Sequence, residues 1–195
     1  MKWIIGVGVV LLVILMGWFI GAYNNLARRR IRAENSLSQI DVQLKRRCDL
    51  IPNLVEAVKG YMTHERATLE AVTAARSRAL DGLNALHGAP RDGQVIRALA
   101  SSSGAIDLLL GRLAARIEAY PDLKANTSVL ALQEELSSTE NRIAFARQAY
   151  NDAVAEFNMS IAVFPSNLVA RTMGFVDMAL FEASESDRVV PSAAL

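Results

Sequence analysis

The sequence has few of the residues that carry catalytic or metal-binding chemistry. It holds one cysteine, Cys48, so an intramolecular disulfide is excluded, and two histidines, His64 and His87, both near predicted helix ends. It lacks the Glu-x-x-His pairs of di-iron helical bundles and the Gly-x-Ser-x-Gly turn of serine hydrolases. We therefore predict no enzymatic activity, no catalytic residue, no bound metal and no cofactor.

A strong charge of one sign and any β-rich run are also missing. The formal net charge is +1, so nothing in the composition indicates a nucleic-acid partner. The segments after residue 23 are rich in alanine and poor in glycine, which favours helix. No glycine-rich phosphate loop interrupts them. These features predict an all-α protein.

Charged side chains are absent between Trp3 and Tyr23. About 20 apolar residues rising ~1.5 Å each cross a hydrocarbon layer of about 30 Å, and the run is longer than the apolar core of a cleaved signal peptide. Trp3, Trp18 and Tyr23 lie near its ends, where aromatic rings favour the headgroup layer. Gly17 and Gly21 form a Gly-x-x-x-Gly pair suited to helix association in lipid. We expect this run, with Met1 and Lys2, to be a retained transmembrane anchor, residues 1–23.

Basic residues are denser after the apolar run than before it. Only Lys2 precedes the run, and four arginines follow it: Arg28, Arg29, Arg30 and Arg32. This bias predicts a single-pass protein of the bacterial plasma membrane with its N-terminus outside and its main domain in the cytoplasm. We expect the arginines to face anionic lipid headgroups, although a plain stop-transfer flank with a solvated helix face explains them too.

Apolar residues beyond the anchor recur at steps of three and four, which is the period of a helix. Breaks fall at Gly60, at 87–90 and at 120–121, and the last apolar stripe stops before Pro165. Short connections between long amphipathic helices predict an antiparallel up-and-down four-helix bundle over 24–163. Its first and last helices are the long ones, and the first continues the anchor.

Local signals refine this helical pattern. Pro52 lies inside the first bundle helix and predicts a kink there. Thr63 and Asp92 are predicted N-caps of the second and third helices, and a residue within 126–128 is predicted to cap the fourth.

A stripe of small residues on the third helix predicts close packing against another helix. Its members are Ser101, Gly104, Gly111 and Ala115. Glycines inside a helix cost about 1 kcal/mol each, so a close neighbour would explain them.

The segment after the bundle, 164–182, is apolar. Because four up-and-down helices return the chain to the bilayer, Phe164, Phe175 and Phe181 are predicted to lie in the membrane interface. The alternatives are that the segment folds back on the bundle or pairs with a neighbouring subunit. The remaining residues, 183–195, are predicted to be a flexible tail.

Two long strings of this sequence resemble conserved blocks of the LemA family. The first, 23–65, begins YNNLARRRIRAENSLSQIDVQLKRR, and the second, 120–175, includes ELSSTENRIAFARQAYNDAVAEFNMSIAVFPSNLVARTMGF. The resemblance implies a single-pass membrane protein with an antiparallel helical bundle and no established enzymatic activity. It also implies a shared pathway with a membrane zinc protease, because such proteases are often encoded beside relatives. The family usually has an aromatic residue where this chain has Cys48.

Several residues typical of the family are polar although they lie on bundle helices. Polar groups at helix contacts fix the register of packing when they are satisfied. We predict a structural network in which three residues of the fourth helix face three of the first. The six residues are Asn141, Arg147 and Asn151, facing Asp41, Arg47 and Asn53 on the adjacent helix or in another subunit. The alternative is that these groups line a pocket for a ligand.

Two functions fit these features. In the first, the protein is a membrane-anchored scaffold that self-associates as a homo-oligomer and organises lipid or protein partners. In the second, it is a monomeric adaptor that presents partners to a membrane enzyme such as a zinc membrane protease.

Overall fold

A computed structural model describes residues 1–182, and the predicted tail at 183–195 lies outside these described residues. All regular secondary structure in the described part is helical. The helices are α1 (Lys2–Lys59), α2 (Arg66–Gly88), α3 (Gly93–Glu118), α4 (Pro121–Lys124), α5 (Thr127–Ala162) and α6 (Ser166–Thr172). The predicted all-α class is confirmed.

The anchor and the first bundle helix form one continuous helix. α1 has 58 residues, which corresponds to a length of about 87 Å. Its side chains are exposed as far as Trp18, and fully buried positions begin at Leu26 and recur at Ala33, Leu37 and Ile40. The apolar run therefore projects from the folded domain as a bare helix, while the second half of α1 belongs to the core.

α1 continues through Pro52 without a break. Proline has no backbone N–H, so the carbonyl of Cys48, four residues earlier, lacks its usual helical donor. Arg76 of α2 replaces that donor, because its Nε lies 2.6 Å from the Cys48 oxygen. The interruption in α1 is thus satisfied by a side chain of the neighbouring helix.

Two of the three predicted N-caps are confirmed. The Asp92 side chain accepts from the Gln94 amide at 2.7 Å, and the Asn126 side chain accepts from the amides at 128 and 129. The prediction for Thr63 is wrong, since α2 begins at Arg66 after Glu65 and has no side-chain cap. The sequence pattern also missed the short helices α4 and α6.

Ion pairs and hydrogen bonds show how the long helices run. Along α1, Arg32 pairs with Glu156 near the end of α5, whereas Arg47 pairs with Glu140 nearer its middle, so these helices are antiparallel. On another face of α1, Glu34 pairs with Arg91 just beyond α2. The Cys48–Arg76 hydrogen bond lies later in α1 but earlier in α2, so α1 and α2 are also antiparallel.

The core has two apolar clusters, one above the other along α1. The cluster nearer the anchor includes Leu26 to Leu44 of α1, and the second includes Cys48 to Val58. Leu80 of α2 packs against both clusters. The boundary between them falls at Arg47, the one charged residue among the buried positions of the described chain.

The chain folds back on the bundle after α5. α6 makes an angle of 93° with α5, and the segment after it runs along α5. There the Asn158 side chain bonds both backbone groups of Met178, at 2.9 Å each, and the Tyr150 hydroxyl donates to the Ala179 oxygen at 2.7 Å.

This path of the chain contradicts part of the prediction that the aromatic residues of 164–182 lie in the membrane interface. Phe175 and Phe181 are buried in the cluster near the anchor, and only Phe164 of the three predicted aromatics is exposed. The polar side chains of α5 bind the backbone of the returning segment, which turns its aromatic rings into the core.

Candidate functional site

The most unusual feature of the fold is the buried arginine between the two apolar clusters. Arg47 is 1% exposed. Its Nη1 donates to Asp107 of α3 and, at 2.8 Å, to Glu140 of α5, and its Nη2 donates to the Ser103 hydroxyl at 2.7 Å. One guanidinium therefore joins three helices. We call Arg47, Ser103, Asp107 and Glu140 the arginine cluster.

The chain places these groups by simple helical spacing. Ser103 and Asp107 are four residues apart on α3 and share one face. Glu140 follows Thr139, which is buried and donates its hydroxyl to the Glu135 oxygen at 2.8 Å. Each helix thus interrupts its apolar stripe with a polar group at the same level.

The cluster holds two carboxyl groups against one guanidinium. Burial raises the pKa of Asp107 to about 6; Arg47 lowers this pKa, while the nearby Glu140 raises it. Loss of Arg47 would leave both carboxyl groups without their cation, whereas loss of one carboxyl group leaves Arg47 paired with the other. The arrangement fits a structural role that fixes the height of α1 against α3 and α5.

A long groove opens beside the arginine cluster between α3 and α5. One part, of about 640 Å³, lies towards the anchor, and another, of about 320 Å³, lies on the far side. Asp107 and Glu140 line both parts. The groove walls include exposed apolar groups, of which Phe145 at 74% exposed is the most prominent.

The predicted packing of the small-residue stripe of α3 is wrong within the described chain. A Cβ added at Gly104 or at Gly111 would meet no atom within 4 Å, so no other helix within residues 1–182 lies against either glycine. Gly104 lines the larger part of the groove and Gly111 the smaller. Gly104 and Gly111 therefore face open space.

The predicted polar network does not form within the described chain, and its alternative, a contact with another subunit, stays a prediction. Of its six members, only Arg47 lies in a buried polar contact between long helices. Asp41 pairs instead with His87 at 3.1 Å, and Asn151 accepts from the Phe181 amide at 2.8 Å. The other three, Asn53, Asn141 and Arg147, are exposed.

The register of α1 against α5 explains this outcome. Arg47 is level with Glu140, and the next residue, Asn141, turns about 100° away on the helix. One sequence signal did point to the true partners, because Ser103 is polar within the otherwise apolar stripe of α3. Asp107 stands one turn further on.

The predicted anchor residues lie in the N-terminal part of α1, and their contact with a membrane stays a prediction. Trp3, Gly17, Trp18, Gly21 and Tyr23 all stand on the projecting part of α1 and are exposed. A Cβ at Gly17 or at Gly21 would meet no atom within 4 Å.

The four arginines after the anchor are not equivalent. Arg29 and Arg32 both pair with Glu156 of α5. Arg30 lies 4.9 Å above the ring of Phe175. Of the four, Arg28 alone is exposed and makes no ion pair with a residue that the structure describes. Two of the four therefore hold α5 against α1, and Arg28 is the one most available to a lipid headgroup.

Two further observations concern metals and membranes. Within residues 1–182, no three His, Cys, Asp or Glu side chains come together as metal ligands do.

By length and composition, α1 is the one described helix able to cross a membrane alone, and none of its apolar window is buried. The bent pair of α5 and α6 passes the same test only if both are counted as one span.

Comparison with known proteins identifies the family. The LemA family pattern matches residues 36–194. The chain belongs to the LemA family. Protein LemA of Metamycoplasma hominis is 30% identical over 171 residues, which cover 88% of this chain and 74% of that relative.

Two similar relatives carry the name magnetosome protein. MamQ of Magnetospirillum gryphiswaldense is 24% identical over 189 residues, covering 88% of this chain and 68% of MamQ. MamQ 2 of Paramagnetospirillum magneticum is 26% identical over 171 residues, covering 78% of this chain and 62% of the relative. With its projecting apolar helix, this LemA family member is a membrane-associated protein of the LemA and MamQ type.

Proposed function

We propose that this LemA family member is a non-enzymatic scaffold, anchored in the bacterial plasma membrane, whose helical bundles self-associate side by side. In this proposal α1, α2, α3 and α5 form an up-and-down four-helix bundle on top of the anchor. The bundle lies in the cytoplasm, because arginines follow the apolar run and only Lys2 precedes it. Its partners are membrane lipid, further copies of the chain and, in the same pathway, a membrane protease.

The open face of α3 is the observation that carries self-association. Gly104 and Gly111 leave a shallow channel without Cβ atoms, and helix propensity alone would replace them at a gain of about 1 kcal/mol each. Small residues let two helix backbones approach closely, as they do for helices associating in lipid. A helix from a second copy fits this channel better than a small ligand, since the groove is long and open along α3 and α5.

The anchor makes a second copy the favoured occupant. Every copy enters the same bilayer through α1, which is one continuous helix from the lipid to the far end of the core. Neighbouring copies therefore stand at the same height, with their α3 faces presented sideways. The arginine cluster supports this arrangement, because it holds α3 at a fixed height on α1.

The test is the particle mass of full-length protein extracted in native-lipid discs, measured by mass photometry. We expect a defined oligomer for the natural chain and smaller particles for a Gly104→Leu, Gly111→Leu variant, whose new side chains fill the channel. Gly60→Leu is the matched control, because it also adds a side chain in open space but lies at the end of α1.

A separate arm examines the anchor. Gly17→Ile with Gly21→Ile blocks close packing of anchors without touching the bundle. Loss of the oligomer in this variant alone would place the contact within the lipid. Monomers in discs of the natural protein overturn the scaffold proposal and favour the monomeric adaptor, for which capture of a stoichiometric membrane protease is then the decisive experiment.

A further inference from the structure

The end of the bundle nearest the anchor carries a short helix set crosswise. α6 makes an angle of 93° with α5, which is itself antiparallel to α1. If α1 stands along the membrane normal, α6 therefore lies close to the plane of the membrane. Val169 and Ala170 bury one side of α6 in the cluster near the anchor.

The depth of α6 follows from its contacts with α1. The partly buried residues Phe19 and Ala22 pack against the same cluster, and the rings of Tyr23 and Phe175 are 5.8 Å apart. These α1 residues are the last turn of the apolar run. Phe19 is about 6 Å nearer the bilayer centre than Tyr23, because each helical residue rises ~1.5 Å. α6 is thus at the level where α1 leaves the hydrocarbon.

The other side of this region is apolar and exposed. Phe164 is 78% exposed, Leu168 55%, Val163 50% and Met173 48%. The segment 157–176 has no acidic residue, and its one charged side chain is Arg171, which is exposed. Such a surface is unfavourable in water but matches the boundary between acyl chains and headgroups.

We propose that residues 163–173, the α6 platform, form a second membrane contact that lies in the interface of the leaflet from which α1 emerges. Phe164 and Leu168 enter the acyl boundary, and Arg171 of the platform and Arg28 of α1 reach phosphate oxygens of anionic lipid. Two contacts at different points fix the tilt and rotation of the bundle relative to the bilayer, which a single helix leaves free.

Continuity with the anchor favours lipid over protein as the occupant. The platform borders the apolar run directly, so lipid around α1 necessarily reaches it. A neighbouring subunit is the competing occupant, and a protein contact differs from a lipid contact in how it shields the surface from small probes.

Spin labels measure this difference on the full-length protein in liposomes that contain anionic lipid. Cys48→Ala removes the one native thiol, and Leu168→Cys or Phe164→Cys then carries a nitroxide. Val13→Cys in the anchor is the lipid reference. Tyr61→Cys, just past the end of α1 that is farthest from the anchor and outside the α3–α5 groove, is the water reference, since Tyr61 is also large and exposed.

We expect labels at Leu168 and Phe164 to resemble the Val13 label, with high accessibility to oxygen and low accessibility to a water-soluble nickel chelate. Accessibility like that of the Tyr61 label would overturn the proposal. Low accessibility to both probes would overturn it as well, because it indicates a covering subunit. The proposal rests on membrane anchoring and not on self-association, so the oligomer can fail its own test while this contact stands.

Discussion

Arg76 donates from Nε to the backbone oxygen of Cys48 at 2.6 Å, and that oxygen is the one that Pro52 leaves without a helical donor. Pro52 and Arg76 lie on different helices, and together they produce one contact between α1 and α2. Pro52 leaves the Cys48 carbonyl oxygen of α1 without a donor from its own helix, and Arg76 of α2 donates to that oxygen. A proline inside the long helix α1 thus contributes to the α1–α2 interface.

We predict that Arg76→Met lowers the free energy of unfolding by about 1–3 kcal/mol, because it leaves a partly buried carbonyl without a partner. Chemical unfolding of the full-length protein in detergent micelles measures this change. Arg78→Met is the matched control, since Arg78 is exposed on the same helix and makes no ion pair among the described residues.

A double-mutant cycle tests the link to the proline. In the Pro52→Ala background the helix regains an N–H at residue 52, which can donate to the Cys48 oxygen. Arg76→Met should then cost less, with a coupling of at least 0.5 kcal/mol on the usual scale for interacting residues. An equal cost in both backgrounds would show that the hydrogen bond acts independently of Pro52.

The arginine cluster predicts a specific pH dependence. Burial raises the pKa of Asp107 to about 6 in the folded protein, above the ordinary value of 3.8. The folded state therefore holds this proton more tightly than the unfolded state, and this residue's contribution to stability falls as the pH rises from about 4 to about 6.

Asp107→Asn removes that titration. Unfolding curves collected between pH 4 and pH 7 should show the stability of the variant rising relative to the natural protein as the pH increases towards about 6, with no further relative change above it. Glu118→Gln is a control acidic site near the end of α3, outside the cluster. Parallel pH profiles for the natural protein and Asp107→Asn would contradict the assignment.

The positions of the long helices along the sequence were predictable, because they depend on residues close together in the chain. The three-and-four spacing of apolar residues, the caps at Asp92 and Asn126 and the absence of charge in the anchor are each set by neighbouring residues. α6 was not predictable in this way. Its seven residues are too few to show a period, and its position depends on Val169 and Ala170 packing against α1.

The polar contacts were missed because they depend on register. Shifting α5 by one residue turns a different side chain towards α1, and the sequence of Glu140–Asn141 alone does not say which one faces Arg47. The fate of Phe175 was hidden for a similar reason. Its burial depends on Asn151, Asn158 and Tyr150 binding a distant backbone segment, a contact that no periodicity reveals.

Substitution of Gly104 and Gly111 of α3 by alanine tests whether the space beside these glycines is empty. Gly104→Ala and Gly111→Ala should each raise the free energy of unfolding by up to about 1 kcal/mol, since alanine favours helix and the new Cβ meets no atom. Gly82→Ala is the contrast on α2, because its Cβ would lie 3.1 Å from Leu99 Cδ1. We expect it to gain less or to lose stability.

These alanine variants separate stability from assembly. They are compared as monomers in detergent, where the proposed subunit contact is absent. A loss of stability at Gly104 or Gly111 under these conditions would mean that another part of the chain lies against α3, and the proposed role of the open face would then fail with it.

The hydrogen bonds of Asn158 stabilise the segment that folds back along α5, and their contribution can be measured. Its amide makes both backbone hydrogen bonds to Met178, so Asn158→Ala removes a donor and an acceptor at once and should weaken this attachment by about 1–3 kcal/mol. Hydrogen exchange of the peptide spanning 176–182 measures the local effect, and it should accelerate while exchange in α2 stays unchanged. Asn141→Ala is the matched control, because Asn141 is an exposed asparagine of α5. Unchanged exchange in Asn158→Ala would mean that the Tyr150–Ala179 bond and the burial of Phe181 hold the segment without help from Asn158.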